Sequence, residues 1–286
     1  MTDSLASSYR YCEALTRRKA GNFYPAFRIL PAGKRRSMCA LYAFMRIADD
    51  ISDEPAPVEQ KRQGLRDWRE SLHQALASDY RHRALPALHD TVVRYQIPAK
   101  YLEAVIDGVE TDLEPVAYST FADLRIYCYR VASAVGLACI HVWGFDGDAA
   151  LAPAEDAGIA FQLTNILRDL GEDAARGRVY LPQEDLRHFG YDGDRLRLGK
   201  CDAAFHELMR FEVQRAREFY ESAEALIPLL SLDGRAVFQM MARTYRGLLE
   251  EIERRGYDVF SGRVRVSRWR KLWFALGALP VRFGWT

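Results

Sequence analysis

Two acidic stretches far apart in the chain carry the residue types that metal-assisted chemistry on a phosphate ester needs. In F-Q-L-T-N-I-L-R-D-L-G-E-D, from Phe161 to Asp173, the residues Phe161, Asn165, Asp169 and Asp173 step by four, and Gln162 precedes Asn165 by three. A helix therefore puts an amide and two carboxylates on one slowly drifting face. Leu163, Ile166, Leu167 and Leu170 are apolar and turn that face toward an interior, where unpaired carboxylates are costly and something cationic must meet them. Upstream, Tyr42, Arg46, Asp49, Asp50 and Asp53 lie at helical spacing within A-L-Y-A-F-M-R-I-A-D-D-I-S-D-E. Two such helices facing each other would gather these carboxylates around one cavity. An oxygen-only ligand set, without histidine or thiolate in either stretch, favours Mg2+, which completes its shell with water and substrate phosphate. A diphosphate substrate follows. The plainer alternative is a pair of solvated acidic helix faces, and the apolar residues bordering both stretches weigh against it.

The segments that must position these stretches read as helices throughout. Residues 4 to 20 predict a first helix, broken by K-A-G-N-F-Y-P before the acidic helix begins near Gly33. After the P-A-P stop that follows Glu54, helices are expected near 58 to 78 and 84 to 95. His73, His82 and His89 read there as solvated or packed rather than as ligands. The stretch from Tyr101 to Glu114 ends in D-G-V-E-T-D-L-E-P, whose acids read as the solvated charges of a helix end. Residues 121 to 143 form a strongly apolar helix carrying Tyr127, Tyr129 and Arg130, in which Ala132, Ser133, Ala134 and Gly136 leave a groove. Such a groove suits a long apolar tail, or close helix packing without a ligand. Residues 182 to 200 are polar and glycine-punctuated, so a loop with one turn of helix is expected, and helices near 202 to 229 and 233 to 255 complete the bundle. With no strand-like alternation and no internal repeat, the expected architecture is all-α, one helical-bundle domain over residues 1–286 with a central cavity.

Composition narrows the function classes. Lys and Arg number 40 against 39 Asp and Glu, a net charge of +1, so the chain lacks the basic field of a nucleic-acid binder. Residues 263 to 282 nevertheless hold Arg263, Arg265, Arg268, Arg270, Lys271 and Arg282 and no acid. With Trp269, Leu272, Trp273, Phe274 and Leu276 between them, this block suits a peripheral contact with an anionic inner-membrane surface, or a last helix packed on the bundle whose cations reach phosphate. The five cysteines are scattered without C-x-x-C spacing and read as buried small hydrophobes in a reducing compartment. The opening M-T-D-S-L-A-S-S-Y-R has no apolar signal core, which makes a cytoplasmic protein the expectation.

D-D-I-S-D-E, N-I-L-R-D-L-G-E-D, Y-C-Y-R-V-A-S-A-V-G at 127 to 136 and R-V-Y-L-P at 178 to 182 together resemble the squalene/phytoene synthase family, in the family's order and from about Tyr9 to Leu276. The resemblance implies an all-helical, Mg2+-dependent enzyme that joins two prenyl diphosphates head to head. It makes Asp49, Asp50, Asp53, Asn165, Asp169 and Asp173 the metal candidates, with Glu172 beside them. Gln162 becomes a pocket contact, and Arg46, Arg168, Arg178, Arg263 and Lys271 the groups that take diphosphate charge. Tyr127 matches the family tyrosine expected to assist proton transfer or to hold departing diphosphate, and Phe23, Tyr42 and Tyr245 offer aromatic faces to a carbocation. At the first helix break the family often reads S-x-S-F; Phe23 fits, while Gly21 and Asn22 depart from the serines.

The wording of R-I-A-D-D-I-S-D-E, D-L-E-P-V-A-Y and V-R-V-S-R-W-R-K-L-W most resembles bacterial presqualene diphosphate synthases of hopanoid pathways. Two farnesyl diphosphates giving presqualene diphosphate is the leading expectation, with reduction by NADPH to squalene as a further step. The alternatives are a phytoene or dehydrosqualene synthase feeding carotenoids, a class I terpene cyclase that consumes a single diphosphate, and a non-enzymatic helical assembly factor.

Overall fold

The computed structural model describes residues 2–21, 23–115, 117–267, 270 and 281; the side chains of Thr2, Asp3 and Phe23 lie outside that description. Among the described residues the chain is helical, with isolated bridges at Ala117–Val179 and Phe145–Leu230 in place of strands. The first half runs through α1 (Thr2–Lys19), α2 (Phe23–Phe27), α3 (Ala32–Asp53), α4 (Val58–Leu76), α5 (Leu85–Tyr95) and α6 (Ala99–Thr111). Pro31, Pro57 and Pro98 stand at the N-caps of α3, α4 and α6. Their fixed φ starts the helix at a position that has no need of the missing N–H. The second half comprises α7 (Phe121–Cys128), α8 (Ala134–Trp143), α9 (Leu151–Ala175), α10 (Gln183–His188), α11 (Gly193–Arg197), α12 (Ala203–Ala223) and α13 (Leu232–Arg254). Thr120 and Asp123 close a reciprocal capping box on α7, and Asp202 and Ser231 cap α12 and α13 through their side chains.

Two apolar clusters fill the interior. One gathers α1, α3, α5, α6 and α8; the other gathers α7, the second half of α9, α10, α11 and α12. The acid-bearing part of α3 therefore belongs to one cluster and that of α9 to the other. Between α7 and α8 the backbone forms a π turn over Tyr129–Ser133, so 121 to 143 is one run whose middle is widened and underwound. That turn is wedged between two glycines. A Cβ on Gly158 of α9 would enter the backbone of Ala132 and Ser133, and one on Gly108 of α6 would strike Val131 and Arg130. Close approach from both sides fixes the bulge, a device frequent at functional sites. The run is long and apolar enough to cross a bilayer, yet here α6 and α9 cover it as a core element.

Two expectations need correction. Residues 182 to 200 fold as the two short helices α10 and α11 rather than a loop with one turn. Leu186, Tyr191 and Leu196 are buried anchors in the second cluster, and Asp192 caps α11 by accepting from the Arg195 N–H, so glycine punctuation there marks tight turns between anchored helices. Cys12, Cys39, Cys128 and Cys139 are buried as expected, whereas Cys201 is exposed in the turn before α12.

Candidate active site

The first acidic bank occupies the end of α3. Asp49 is buried enough that its carboxyl is pushed up to about 6, chiefly by loss of water and further by Asp53, Asp50 and Asp112, while Arg46 pulls it down. Arg46 pairs with Asp50 one turn on and lies 3.6 Å from Asp53 Oδ2. Its Nε is buried without a partner, a donor left for something that enters. Tyr42, a turn earlier, is half-buried on the same face.

The second bank lies toward the end of α9. Arg168 holds its neighbour Asp169 with both arms, Nε donating to Oδ1 at 2.8 Å and Nη2 to Oδ2. Arg263, from the segment after α13, brings its Nε to 3.6 Å from the same carboxylate and 4.0 Å from Glu172. Asp173 is pushed up to about 6 by burial and then by Asp169, with Arg178 and Arg176 acting against both. Asn165 Nδ2 donates to Gln162 Oε1 at 3.4 Å, and the ring of Tyr245 stacks on Phe161 at 4.6 Å between centroids.

Asp112 joins the two banks, and this corrects the reading of D-G-V-E-T-D-L-E-P as uniformly solvated. Asp107, Glu110 and Glu114 do pair at the surface with Arg62 and Arg69. Asp112 instead turns inward just past α6 and feels both Asp49 and Asp173. Its carboxylate accepts from Tyr127 Oη and from Tyr180 Oη, each at 2.9 Å, and its backbone oxygen accepts from Arg178 Nη2 at 3.0 Å. Tyr127 and Tyr180 stack at 5.1 Å, with Tyr118 completing the cluster. Burial and the adjacent carboxylate push both phenols well above their ordinary range, so Tyr127 stands as a neutral donor. Burial also raises Asp112 against the pull of the two hydroxyls. One signal in the sequence pointed here: Asp112 lies four residues after Gly108, the glycine that lets the π turn approach, and so shares its inward face.

From the second bank an apolar cavity of about 140 Å³ runs inward, with Gln162 and Asn165 at its rim and Val131, Gly136, Cys139 and Met241 among its walls. Of the small residues expected to leave a groove, Ala132 and Gly136 line this cavity, while Ser133 and Ala134 are buried in helix packing instead. The structure brings Tyr42, Arg46, Asp49, Asp50 and Asp53 together on one side. Gln162, Asn165, Arg168, Asp169, Asp173, Tyr245 and Arg263 gather on the other, with Tyr127 and Arg178 between through Asp112. Lys271, Asn22, Arg268, Trp269 and 272–276 lie outside the described residues, as does the side chain of Phe23.

The donor set fits magnesium. It is carboxylate and amide oxygen throughout, and Asp49 and Asp173 are carboxyls that burial and neighbouring acids have pushed up in spite of the arginines beside them. Among the described residues no three acidic, histidine or cysteine side chains close on a single point. Two facing banks suit ions shared with a polyanionic substrate better than a closed protein cage.

An all-α bundle with two such acidic banks, the second opening through Gln162 and Asn165 onto an apolar cavity, defines a protein of the isoprenoid-synthase fold. The chain matches the squalene/phytoene synthase family over residues 16–270 and belongs to it, a family of head-to-head prenyltransferases. It is 38% identical over 281 residues to 15-cis-phytoene synthase of Synechococcus elongatus, covering 94% of this chain and 91% of that protein. It is 39% identical over 280 residues to phytoene synthase of Arthrospira platensis, covering 93% and 91%. Among solved structures it is similar to a dehydrosqualene synthase in complex with a ligand (TM-score 0.88, 29% identity, 96% of each chain). It is also similar to a squalene synthase of Alicyclobacillus acidocaldarius (TM-score 0.84, 27% identity, 89% of this chain and 96% of that one).

Proposed function

We propose that this chain joins two farnesyl diphosphates head to head to give presqualene diphosphate. The observation that carries the reading is the pair of acidic banks, both felt by Asp112, the second of which meets a small cavity with aromatic walls at Gln162 and Asn165. Asp49, Asp50, Asp53, Asn165, Asp169 and Asp173 would hold Mg2+, whose charge offsets that of a departing diphosphate. Arg46, through its unpartnered Nε, and Arg168, Arg178 and Arg263 take the remaining phosphate charge. One substrate loses diphosphate, and the allylic cation left at its C1 is held beside the faces of Tyr245 and Tyr42. The double bond of the second substrate attacks that carbon, a proton leaves, and the cyclopropane closes. Two substrates thus yield one cyclopropyl diphosphate, one diphosphate and one proton. Tyr127 relays that proton, taking it on the phenol oxygen as its own passes to Asp112.

A second reading, two geranylgeranyl diphosphates on the way to phytoene, is favoured by the phytoene synthase names of the relatives at 38% and 39% identity. Labelled farnesyl and geranylgeranyl diphosphates, each with and without NADPH, separate the two. The expected result is a cyclopropyl diphosphate from farnesyl diphosphate in Mg2+, and the NADPH arm reads whether squalene follows. A cyclised hydrocarbon made from a single substrate would turn the assignment to a terpene cyclase. A peripheral membrane contact through the basic, aromatic block at 263 to 282 is proposed alongside. Truncation after Ser267, which leaves Arg263 in place, should lower liposome co-sedimentation while detergent-solubilised activity survives, and collapse of that activity would place the segment in the pocket instead.

A further inference from the structure

Behind the first apolar cavity lies a second, of about 270 Å³, and Phe161 and Phe238 line both. Its lining is mixed: Ala223, Ile227, Ala242 and Tyr220 supply apolar surface, and Glu224, Gln239, Arg243 and Arg246 supply polar groups. Helix α13 explains the arrangement. Phe238, Met241 and Tyr245 step by three and four along the strip that faces the first cavity, while Ala242 and Arg246 occupy the adjoining strip. The partition is therefore a helix edge bearing one ring, closed by one ring from α9. These rings are held unequally. Phe161 is clasped by Tyr245 at 4.6 Å and by Tyr220 at 5.9 Å, whereas among the described residues no ring stacks on buried Phe238.

We propose that Phe161 and Phe238 determine which prenyl chain length is accepted, and that the second cavity is a receptacle for the distal isoprene units of a longer chain. The inference rests on the head-to-head reading above. A tail anchored at its diphosphate beside Asn165 runs inward along apolar walls, meets Phe161 one turn before that asparagine, and can lengthen only past Phe238. Ala223, Ile227 and Ala242 continue the hydrocarbon surface of the first cavity past the partition, so the two rings are what a lengthening chain meets first.

The test is the ratio of geranylgeranyl to farnesyl diphosphate turnover in the full chain. Phe238→Ala should raise it by about tenfold, the scale on which an apolar pocket discriminates by volume. Adding Ala242→Trp, which fills only the second cavity, should return it to within about twofold of wild type on the same scale. If Phe238→Ala loses helical circular dichroism, Phe238→Leu carries the test with a smaller rise in the same direction. A ratio unmoved by Phe238→Ala or Phe238→Leu, or a rise that Ala242→Trp leaves in place, overturns the proposal. Wild type that joins neither substrate defeats the head-to-head reading, a failure separable from this one.

Discussion

The two acidic banks use the same side chains and are held in different ways. On α3 the carboxylates crowd the last turns, where Asp53 is the final helical residue and its side chain is 71% exposed. Asp169 on α9 is 18% exposed and lies under two arginines. The first bank is open at Asp53 while its Asp49 is buried; in the second, Asp169 is covered by Arg168 and Arg263. Both place acids near a helix C-terminus, where the helix dipole is negative and disfavours them. Stability has been given up at both ends for the sake of collecting negative charge.

The largest effect should come from breaking either bank. Asp53→Asn and Asp169→Asn are nearly isosteric, and each should lower turnover by about 10³-fold with unchanged helical circular dichroism. Full activity in one of them would show that its bank is dispensable and the pairing across Asp112 incidental. A smaller loss is expected at the link between the banks. Tyr127→Phe keeps the stack on Tyr180 but removes the hydroxyl that Asp112 accepts, so single-turnover ring closure should slow by about 10²-fold. A wild-type rate would make Tyr127 a packing residue.

The asymmetry itself predicts the next effect. Arg263→Ala removes a cation that is already half-exposed, and KM for the prenyl diphosphate should rise by about tenfold with a lesser change in kcat, since a charge-assisted contact is worth roughly that much. A fall in kcat alone would mean that Arg263 acts on the transition state only. Smallest of all is the stability consequence at the open end. Asp53→Asn should raise stability by about 0.3–1 kcal/mol at low salt, because a charge is removed from the unfavourable end of α3. A drop in Tm there would show that the pairing of Asp53 with Arg46 outweighs the dipole.

Much of this was legible in the sequence because helical period is a strong signal in long segments. The stretches around Asp49 and Asp169, the apolar run through Tyr127 and the small residues facing the cavity follow from spacing alone. Asp112 escaped because its neighbours Glu110 and Glu114 are surface acids, and nothing local shows that two tyrosines, 15 and 68 residues further on, turn toward it. The π turn at Tyr129–Ser133 depends on glycines in two other helices. Helices α10 and α11 were hidden for a like reason, since their anchors are buried only once α12 is in place.

The most direct test of a two-bank site is stoichiometry in the presence and absence of Mg2+. The account predicts one diphosphate released for every two prenyl diphosphates consumed, one cyclopropyl diphosphate formed, and loss of all three signals on chelation or in either Asp53→Asn or Asp169→Asn. A hydrocarbon built from a single prenyl diphosphate, or turnover that survives in both variants, would contradict it.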